Sequence, residues 1–282
     1  MFQTDDLSTE PEIKKSEEEI IKELKSLFLN SMKNLVPKEK YGVMFSGGVD
    51  SSLIAIIAKQ LNPNLTCYTV AYEGVTKPED LKVAEKIAKE YRLDLEVIRL
   101  RLEDFENYAK KVNSIIDHPD VIRISVGVVT YLACERAVKD GIKILFGGLG
   151  SEEIFAGYQR HKKAVDINKE CLEGLKHLEE RDISRDEPIA RDLGIKLAVP
   201  FLDQELIKYA LRIPSKFKID EENNKIIIRK VAESLGLKHE YAFRKKLAAQ
   251  YGSAIDKALQ KVSKQKGFKF KSDYLNSLWA FR

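Results

Sequence analysis

The chain alternates between helical and strand-like hydrophobic spacing, and this pattern predicts its elements. After a polar start, apolar residues recur every three or four positions from residue 20 to residue 32, which predicts an amphipathic helix. Ser16 followed by Glu19 is the capping-box pattern of a helix start, and Pro37 marks the end. We interpret this helix as a packing element with no chemistry of its own.

Short apolar stretches predict the strands of a sheet. They cover residues 43–45, 65–72, about 93–97 and 142–146. Helical spacing separates them at residues 53–61, 78–91, 102–116 and 124–139. Strands that alternate with helices predict an α/β fold, a doubly wound parallel sheet whose ligands bind outside the carboxyl ends of the strands.

These elements suggest how the chain is organised. We expect residues 1–36 to form a polar segment with the packing helix, and residues 37–282 to form one domain. Within that domain the sheet occupies about residues 40–160. A helical part is expected at about residues 161–282, because helical spacing returns there at residues 204–211 and 226–235.

The loop after the first predicted strand has the composition of a phosphate-binding turn. It reads Ser46-Gly47-Gly48-Val49-Asp50-Ser51-Ser52 and leads into an apolar helix. Adjacent glycines let the backbone approach a ligand, and a helix start presents free N–H groups to an anion. Asp50 would repel a phosphate unless a cation lay between them, so Mg²⁺ is the expected partner. The loop is neither a Walker loop nor a dinucleotide fingerprint.

A second glycine-rich loop follows the fourth predicted strand. It reads Gly147-Gly148-Leu149-Gly150-Ser151-Glu152-Glu153. Acidic residues in a first helical turn can serve simply as capping charges. Opposite a loop that carries Asp50, however, a second carboxylate becomes a candidate ligand of the same Mg²⁺.

Composition and charge exclude several classes of protein. The formal charge of +4 is too small to indicate a nucleic-acid-binding protein by itself. The three cysteines form no Cys-x-x-Cys pair, so neither a zinc site nor a disulfide framework is predicted. With no signal peptide or membrane-length apolar run, we expect a cytoplasmic protein without membrane contact.

One stretch of the sequence is strongly basic. From Arg244 to Lys271 there are nine Lys and Arg residues against one acid, Asp256. Such a stretch can be a solvated helical tail that covers the core with lysine stems, or a contact for a polyanion.

Five segments in register carry a resemblance to known proteins. The first loop resembles the SGGxDS loop of the ATP pyrophosphatases, and the second resembles the SGEGxDExFGGY segment of the asparagine synthetase family. Residues 194–203 resemble that family's G-x-E-x-R-x-PFLD run, residues 225–230 its K-x-x-(L/I)-R segment, and residues 244–246 its late basic motif. Details at residues 158–162 and 249–253 are similar to asparagine synthetase domain-containing proteins. The resemblance implies a fold like that of the adenine nucleotide alpha hydrolases.

The resemblance also implies residue roles. The pyrophosphate end of ATP would be bound by the first loop, at Ser46, Gly47, Gly48, Asp50, Ser51 and Ser52. Adenine would meet the backbone of Val70 and Ala71, and Gly148 would lie near the nucleoside. Asp50 and Glu152 would hold Mg²⁺. Lys246, with Lys245 as the alternative, would act together with Asp50 in catalysis by stabilising the departing pyrophosphate.

Departures from the family motifs limit what is implied. Leu149 stands where the family has a glutamate, and Lys196 and Ala198 replace the acidic and basic residues of G-x-E-x-R. No cysteine nucleophile follows Met1, so we expect ammonia, a separate glutaminase or another amine to supply nitrogen. Candidate residues for the second substrate, which surface helix positions explain equally well, are Arg160, His161 and Gln250.

The resemblance implies an ATP-dependent ligase that forms AMP and pyrophosphate. A small carboxylate substrate would attack the α-phosphorus, and an amine would then displace AMP to give an amide. A tRNA-modifying ATP pyrophosphatase is an alternative that the basic stretch favours. A non-catalytic ATP- or AMP-binding module is another, which Leu149 favours. The acceptor, the amine donor and the oligomeric state stay open.

Overall fold

The core of the molecule is a five-stranded parallel sheet. The structure, a computed structural model, describes residue 8 and residues 10–74, 78–117, 119–244 and 249–279. The strands are β1 (Tyr41–Met44), β2 (Leu65–Tyr72), β3 (Leu95–Leu100), β4 (Ile144–Phe146) and β5 (Lys196–Ala198). Their order is β3-β2-β1-β4-β5, and every neighbouring pair is parallel. The predicted α/β fold is therefore confirmed.

Helices follow or precede each strand. They are α1 (Glu17–Leu35), α2 (Val49–Leu61), α3 (Glu79–Glu90), α4 (Phe105–Ile115), α5 (Val121–Lys139), α6 (Ser151–Ile154), α7 (Ile167–Lys176), α8 (Ser184–Asp192), α9 (Gln204–Leu211), α10 (Ile226–Ser234), α11 (His239–Ala242), α12 (Ala249–Gly252), α13 (Ile255–Gln265) and α14 (Lys271–Trp279). No helix in this described part of the chain is long and apolar enough to cross a membrane.

The apolar core forms two layers, one on each face of the sheet. Successive residues of a strand point to opposite faces. Cys67 of β2 accordingly joins the layer built with α1, α2, α9 and α10. Its neighbour Tyr68 joins the layer built with α4, α5 and α13. A strand buried on both faces explains why β2 reads as a continuous apolar stretch.

Helix α1 is the packing element that the sequence predicted. The Glu19 N–H donates to the Ser16 hydroxyl, and the Ser16 N–H donates in return to the Glu19 carboxylate, so the capping box is present. Phe28 on its buried face stacks on Phe201 with ring centroids 5.1 Å apart. An ion pair between Glu17 and Lys230, 2.6 Å long, fixes the start of α1 to α10.

Strand β5 is an element that sequence reasoning did not separate. It has only three residues at the edge of the sheet, and Lys196 in it is exposed. So short an edge strand leaves no alternating pattern to detect. Lys196 and Ala198, at the positions where the family motif has an acid and a base, are therefore edge-strand residues paired with β4.

The C-terminal helices return to the carboxyl end of the sheet. The Tyr72 N–H, at the end of β2, donates to the Ser253 carbonyl at 3.0 Å. Helix α13 then buries Ile255, Leu259 and Val262. Its lysines Lys257, Lys261 and Lys264 are exposed. In this part of the basic stretch, the lysines lie on the outer face of a helix that covers the core.

Candidate active site

Two glycine-rich loops meet at one point of the sheet. Strands β1 and β4 are neighbours, although two strands and four α-helices separate them in sequence. The strand order also changes direction here, because β1 is paired with β2 on one side and with β4 on the other. Ligands of open α/β sheets bind at such a switch point. A 2.6 Å hydrogen bond from the Ser151 hydroxyl to Asp50 Oδ1 joins the two loops, as the sequence prediction that both face one crevice requires.

The first loop gathers its hydroxyl groups at the start of α2. The Ser46 and Ser51 hydroxyl oxygens are 3.3 Å apart, and the Gly48 N–H donates to the Ser46 hydroxyl. Gly47 has a φ of +67°, and a Cβ there would lie 3.0 Å from the Ala84 backbone nitrogen. Only glycine fits this close approach without strain. Ser52 is fully buried, and among the described residues its hydroxyl has no hydrogen-bond partner.

The ammonium group of Lys225 lies between the two predicted metal-binding carboxylates. Lys225 Nζ is 2.6 Å from Asp50 Oδ2 and 3.1 Å from Glu152 Oε1. Asp50 and Lys225 are buried, whereas the Glu152 side chain is 31% exposed. The structure therefore brings the carboxylates of Asp50 and Glu152 around one cation.

The backbone around Lys225 is held in an uncommon conformation. Its φ of +60° lies in the left-handed region, which costs a non-glycine residue about 1–2 kcal/mol. The Asn224 side-chain amide donates to the Gly157 carbonyl. Arg229 Nε in turn donates to the Asn224 carbonyl at 2.7 Å. Both contacts hold Asn224, the residue directly before Lys225, and so help to keep the ammonium directed at the carboxylates.

Electrostatics favours the charged form of this lysine. Burial alone would lower the pKa of the Lys225 ammonium, but the carboxylates of Asp50 and Glu152 act in the opposite direction, and the pKa is raised overall. Burial lowers the pKa of the Arg229 guanidinium, and here the charges of Asp50 and Glu152 do not outweigh it. Lys225 is thus the cation that the site stabilises.

Glu152 and Glu153 differ in their environment despite their adjacency. Glu153 is 1% exposed, and burial raises its pKa. Its carboxylate is bound by Arg181 at 2.5 Å and accepts a hydrogen bond from the Tyr158 hydroxyl at 2.9 Å. Glu153 therefore belongs to the framework of the molecule, while Glu152 faces the site.

A buried ion-pair network lies behind Glu153. Arg185 Nη2 is 2.8 Å from Asp186 Oδ2, and Arg185 Nη1 is 3.0 Å from Asp182 Oδ1. The Thr130 hydroxyl also donates to Asp186. The charges of the segment around Arg185 are therefore satisfied within the fold.

The proposed adenine residues lie at the carboxyl end of β2. Val70 and Ala71 are buried and are paired with Ile98 and Arg99 of β3. In the second loop, a Cβ on Gly148 would lie 3.2 Å from the Asp50 Cβ. A small residue at position 148 therefore lets the two loops approach each other.

Lys245 and Lys246 lie outside the described residues, so their predicted roles stay predictions. The described residues before and after them are fixed near the crevice. Arg244 Nη2 is 2.6 Å from Asp80 Oδ1, and the Arg244 carbonyl accepts from Arg229. Ser253 is bonded to the end of β2, as described above.

The second-substrate candidates differ in accessibility. Arg160 stacks over the Tyr158 ring and pairs with Glu170 at 2.9 Å. His161 is fully buried, and its Nδ1 accepts the Tyr158 N–H at 3.0 Å. His161 therefore presents no surface to a substrate. The side chain of Gln250 lies outside the described part of the chain, and Leu149 is half-buried beside the site.

The donor set fits a divalent cation bound together with phosphate. Within the described ranges, no three His, Cys, Asp or Glu side chains gather into a metal cluster. Mg²⁺ in phosphate-transfer sites commonly takes only one or two carboxylates and completes its coordination with phosphate oxygens and water. Asp50 and Glu152, which already share one cationic group, match that smaller set.

Sequence reasoning missed the part played by Lys225. The K-x-x-(L/I)-R segment was recognised, but no role was assigned to its lysine. The only local signal is a lysine directly before an apolar helix, which many surface lysines share. Its position between Asp50 and Glu152 depends on a contact across 175 residues.

Comparison with known proteins points to one family. The asparagine synthase family model matches residues 23–173 and 163–268. A protein of Methanocaldococcus jannaschii named "Putative asparagine synthetase (glutamine-hydrolyzing) 1" is 34% identical over 313 aligned residues, which cover 95% of this chain and 57% of that protein. Asparagine synthetase B (glutamine-hydrolyzing) of Escherichia coli is 28% identical, over 70% of this chain and 38% of that protein. The chain spans about half the length, or less, of the curated relatives it matches.

Proposed function

The chain belongs to the asparagine synthase family, and from that premise we propose that it is an ATP-dependent ligase that forms a carbon–nitrogen bond. It would activate a carboxylate by adenylation, release pyrophosphate, and pass the acyl group to ammonia or another amine. The observation that carries this proposal is the cluster of Asp50, Glu152 and Lys225 at the phosphate loop.

In this proposal the first loop binds the pyrophosphate end of ATP. The hydroxyl groups of Ser46 and Ser51, with the N–H groups at the start of α2, would surround the phosphates. Val70 and Ala71 would contact adenine, and Gly148 would keep the nucleoside side of the crevice open. Mg²⁺ held by Asp50 and Glu152 would neutralise phosphate charge during the reaction.

Lys225 would stabilise charge on the departing pyrophosphate. A buried ammonium beside the phosphate loop is already oriented, so it needs no rearrangement of solvent when charge develops. Lys246 is proposed as a second cation with the same task. Asp50 would link metal binding to this charge stabilisation. It contacts the Lys225 ammonium directly and accepts a hydrogen bond from Ser151 of the second loop.

The departures from the family motif bear on the amine step. Leu149 cannot accept a proton, so an amine that enters as the free base would be needed, or another residue would have to deprotonate it. Ammonia from solution or from a separate glutaminase is compatible with this requirement. We also propose the division of the chain given above, with residues 37–282 as the ligase domain and a cytoplasmic location.

Exchange of labelled pyrophosphate into ATP tests the proposal. The assay contains Mg²⁺ and, in separate reactions, aspartate, other amino acids or bulk tRNA, with Asp50→Ala as the blank. Exchange that depends on aspartate supports asparagine formation, and exchange with another carboxylate identifies the acceptor. Exchange only with tRNA would favour the tRNA-modifying alternative. ATP binding without exchange under any condition would contradict the ligase and favour the binding module.

A further inference from the structure

The site holds its own cation before any ligand enters. Lys225 Nζ lies 2.6 Å from one carboxylate and 3.1 Å from the other, at the place where a metal shared by Asp50 and Glu152 would have to bind. Mg²⁺ requires its oxygen ligands at about 2.0–2.1 Å. An ammonium and a divalent ion cannot both fit between the same two carboxylates, and they repel each other strongly where water is excluded.

We propose that Lys225 is a built-in counter-cation that keeps the Asp50–Glu152 pair closed to divalent metal until a nucleotide draws its ammonium away. This inference rests on the proposed function, because it assumes that the pair binds the metal that accompanies ATP. It adds an order to that function: free metal is excluded, and metal enters with the nucleotide.

The surroundings of Lys225 explain why it does not simply leave when metal arrives. The side chain is 3% exposed, so it cannot exchange its carboxylate partners for water without a larger movement. The residue directly before it, Asn224, is held through its carbonyl by Arg229 and through its side-chain amide by the Gly157 carbonyl. The ammonium of Lys225 therefore stays between the two carboxylates as long as no other anion is near.

A nucleotide supplies the anion that this arrangement lacks. The phosphate loop begins at Ser46 and contains Asp50, so phosphates bound there would lie next to the ammonium. Once Lys225 contacts phosphate, the carboxylates become available to the metal. Because coupling between two ligands is reciprocal, nucleotide would raise the affinity for metal, and metal would raise the affinity for nucleotide.

A second buried lysine provides a matched control. Lys218 is fully buried, as Lys225 nearly is, but its Nζ donates to Asn168 Oδ1 at 2.7 Å. Lys218→Met and Lys225→Met remove the same charge and keep a side chain of similar length. Only the second substitution removes a cation from the carboxylate pair.

Mn²⁺ binding measured by electron paramagnetic resonance tests the proposal without catalysis. Mn²⁺ prefers the same oxygen ligands as Mg²⁺. In the absence of nucleotide, we expect Lys225→Met to bind Mn²⁺ at least about tenfold more tightly than the wild type, which corresponds to roughly 1.4 kcal/mol. Lys218→Met should behave like the wild type. Equal nucleotide-free affinity in the wild type and Lys225→Met would overturn the proposal.

If Lys225→Met does not fold in metal-free buffer, its refolding becomes the readout. Recovery of the folded state on addition of Mn²⁺, followed by circular dichroism, would show that the metal replaces the missing ammonium. No recovery with Mn²⁺ would overturn the proposal. The Mn²⁺ test is independent of the ligase assay. If the wild type showed no pyrophosphate exchange, the proposed function would be contradicted, but the Mn²⁺ affinities of the wild type and Lys225→Met could still be compared.

Discussion

Lys218 and Lys225 are two buried lysines, seven positions apart in sequence, in opposite surroundings. Lys225 faces two carboxylates, and its pKa is raised. Lys218 donates to the neutral amide of Asn168, and burial lowers its pKa. Near it lies His161, whose pKa is lowered to about 4 by burial and by the positive charges of Arg160 and Lys218. Burial alone therefore does not identify a functional lysine; the charges that surround it do.

The difference assigns separate tasks to the two regions. In the Lys225 region, an ammonium and two carboxylates of opposite charge lie together at the proposed binding site, where a bound ligand can change their pairing. The Lys218 region places like charges inside the fold, where the surrounding structure has to tolerate them. Substitutions in the first region should change chemistry as well as stability, whereas substitutions in the second should change only stability and its dependence on pH.

The largest expected effect separates the two lysines directly. Lys225→Met should lower the rate of pyrophosphate exchange by about 10²–10³-fold, because a preoriented charge at the reacting group is lost. It should also lower the free energy of unfolding by about 3–5 kcal/mol, because the buried carboxylate of Asp50 loses a partner. Lys218→Met should leave the exchange rate within about threefold of the wild type. Similar losses of exchange in both variants would abolish the distinction.

A smaller effect is expected from crowding Glu152. A Cβ on Gly157 would lie 1.6 Å from Glu152 Oε2, so Gly157→Ala should push this carboxylate away from Lys225. We expect exchange to fall by roughly 10- to 30-fold, since displacements near 1 Å at such sites cost up to about 10²-fold. Gly127→Ala in α5 is the control, because its Cβ would instead meet Val112 at 2.6 Å. It should reduce stability and leave exchange unchanged; loss of exchange in Gly127→Ala would count against the assignment.

The smallest effect concerns the pH dependence of stability near Lys218. The pKa of His161 is lower in the folded state, about 4, than its ordinary value of 6.5, so the unfolded state binds more protons between these values. Stability is therefore present above pH 6.5 and decreases as the pH falls toward 4. We expect a loss of about 1–2 kcal/mol in urea unfolding, below the roughly 3 kcal/mol of the full shift.

His161→Asn is the matched variant for that measurement. Asparagine retains an acceptor near the position of Nδ1 for the Tyr158 N–H, and it does not titrate. The difference in unfolding free energy between the wild type and this variant should decrease from pH 6.5 to pH 4. A constant difference over that interval would show that His161 does not lose its proton on folding.

Local features of this molecule were predictable from sequence because local interactions form them. The capping box of Ser16 and Glu19, the apolar β2 and the glycine-rich loop before α2 each lie within a few residues. The meeting of the two loops also followed, since strand alternation predicts a parallel sheet with one binding edge. The role assigned to Lys246 is still a prediction, because that residue lies outside the described ranges.

Features that depend on distant residues were not predictable in the same way. β5 has three residues, and its strand character comes from pairing with β4. Glu152 and Glu153 are equivalent in sequence, and only Arg181 and Tyr158 show that Glu153 points into the framework. Lys225 reads as an ordinary lysine until the fold places it beside Asp50.

The distance of 175 residues between Asp50 and Lys225 has a consequence for the newly made protein. Ribosomes add about 5–20 residues per second, so roughly 9–35 s pass between the synthesis of these two residues. The partner from the second loop, Ser151, is only 101 residues from Asp50 and is made earlier. Asp50 and Glu152 are therefore synthesised before Lys225, whose ammonium lies between them. A nascent chain that stops before residue 225 contains these two carboxylates without that ammonium.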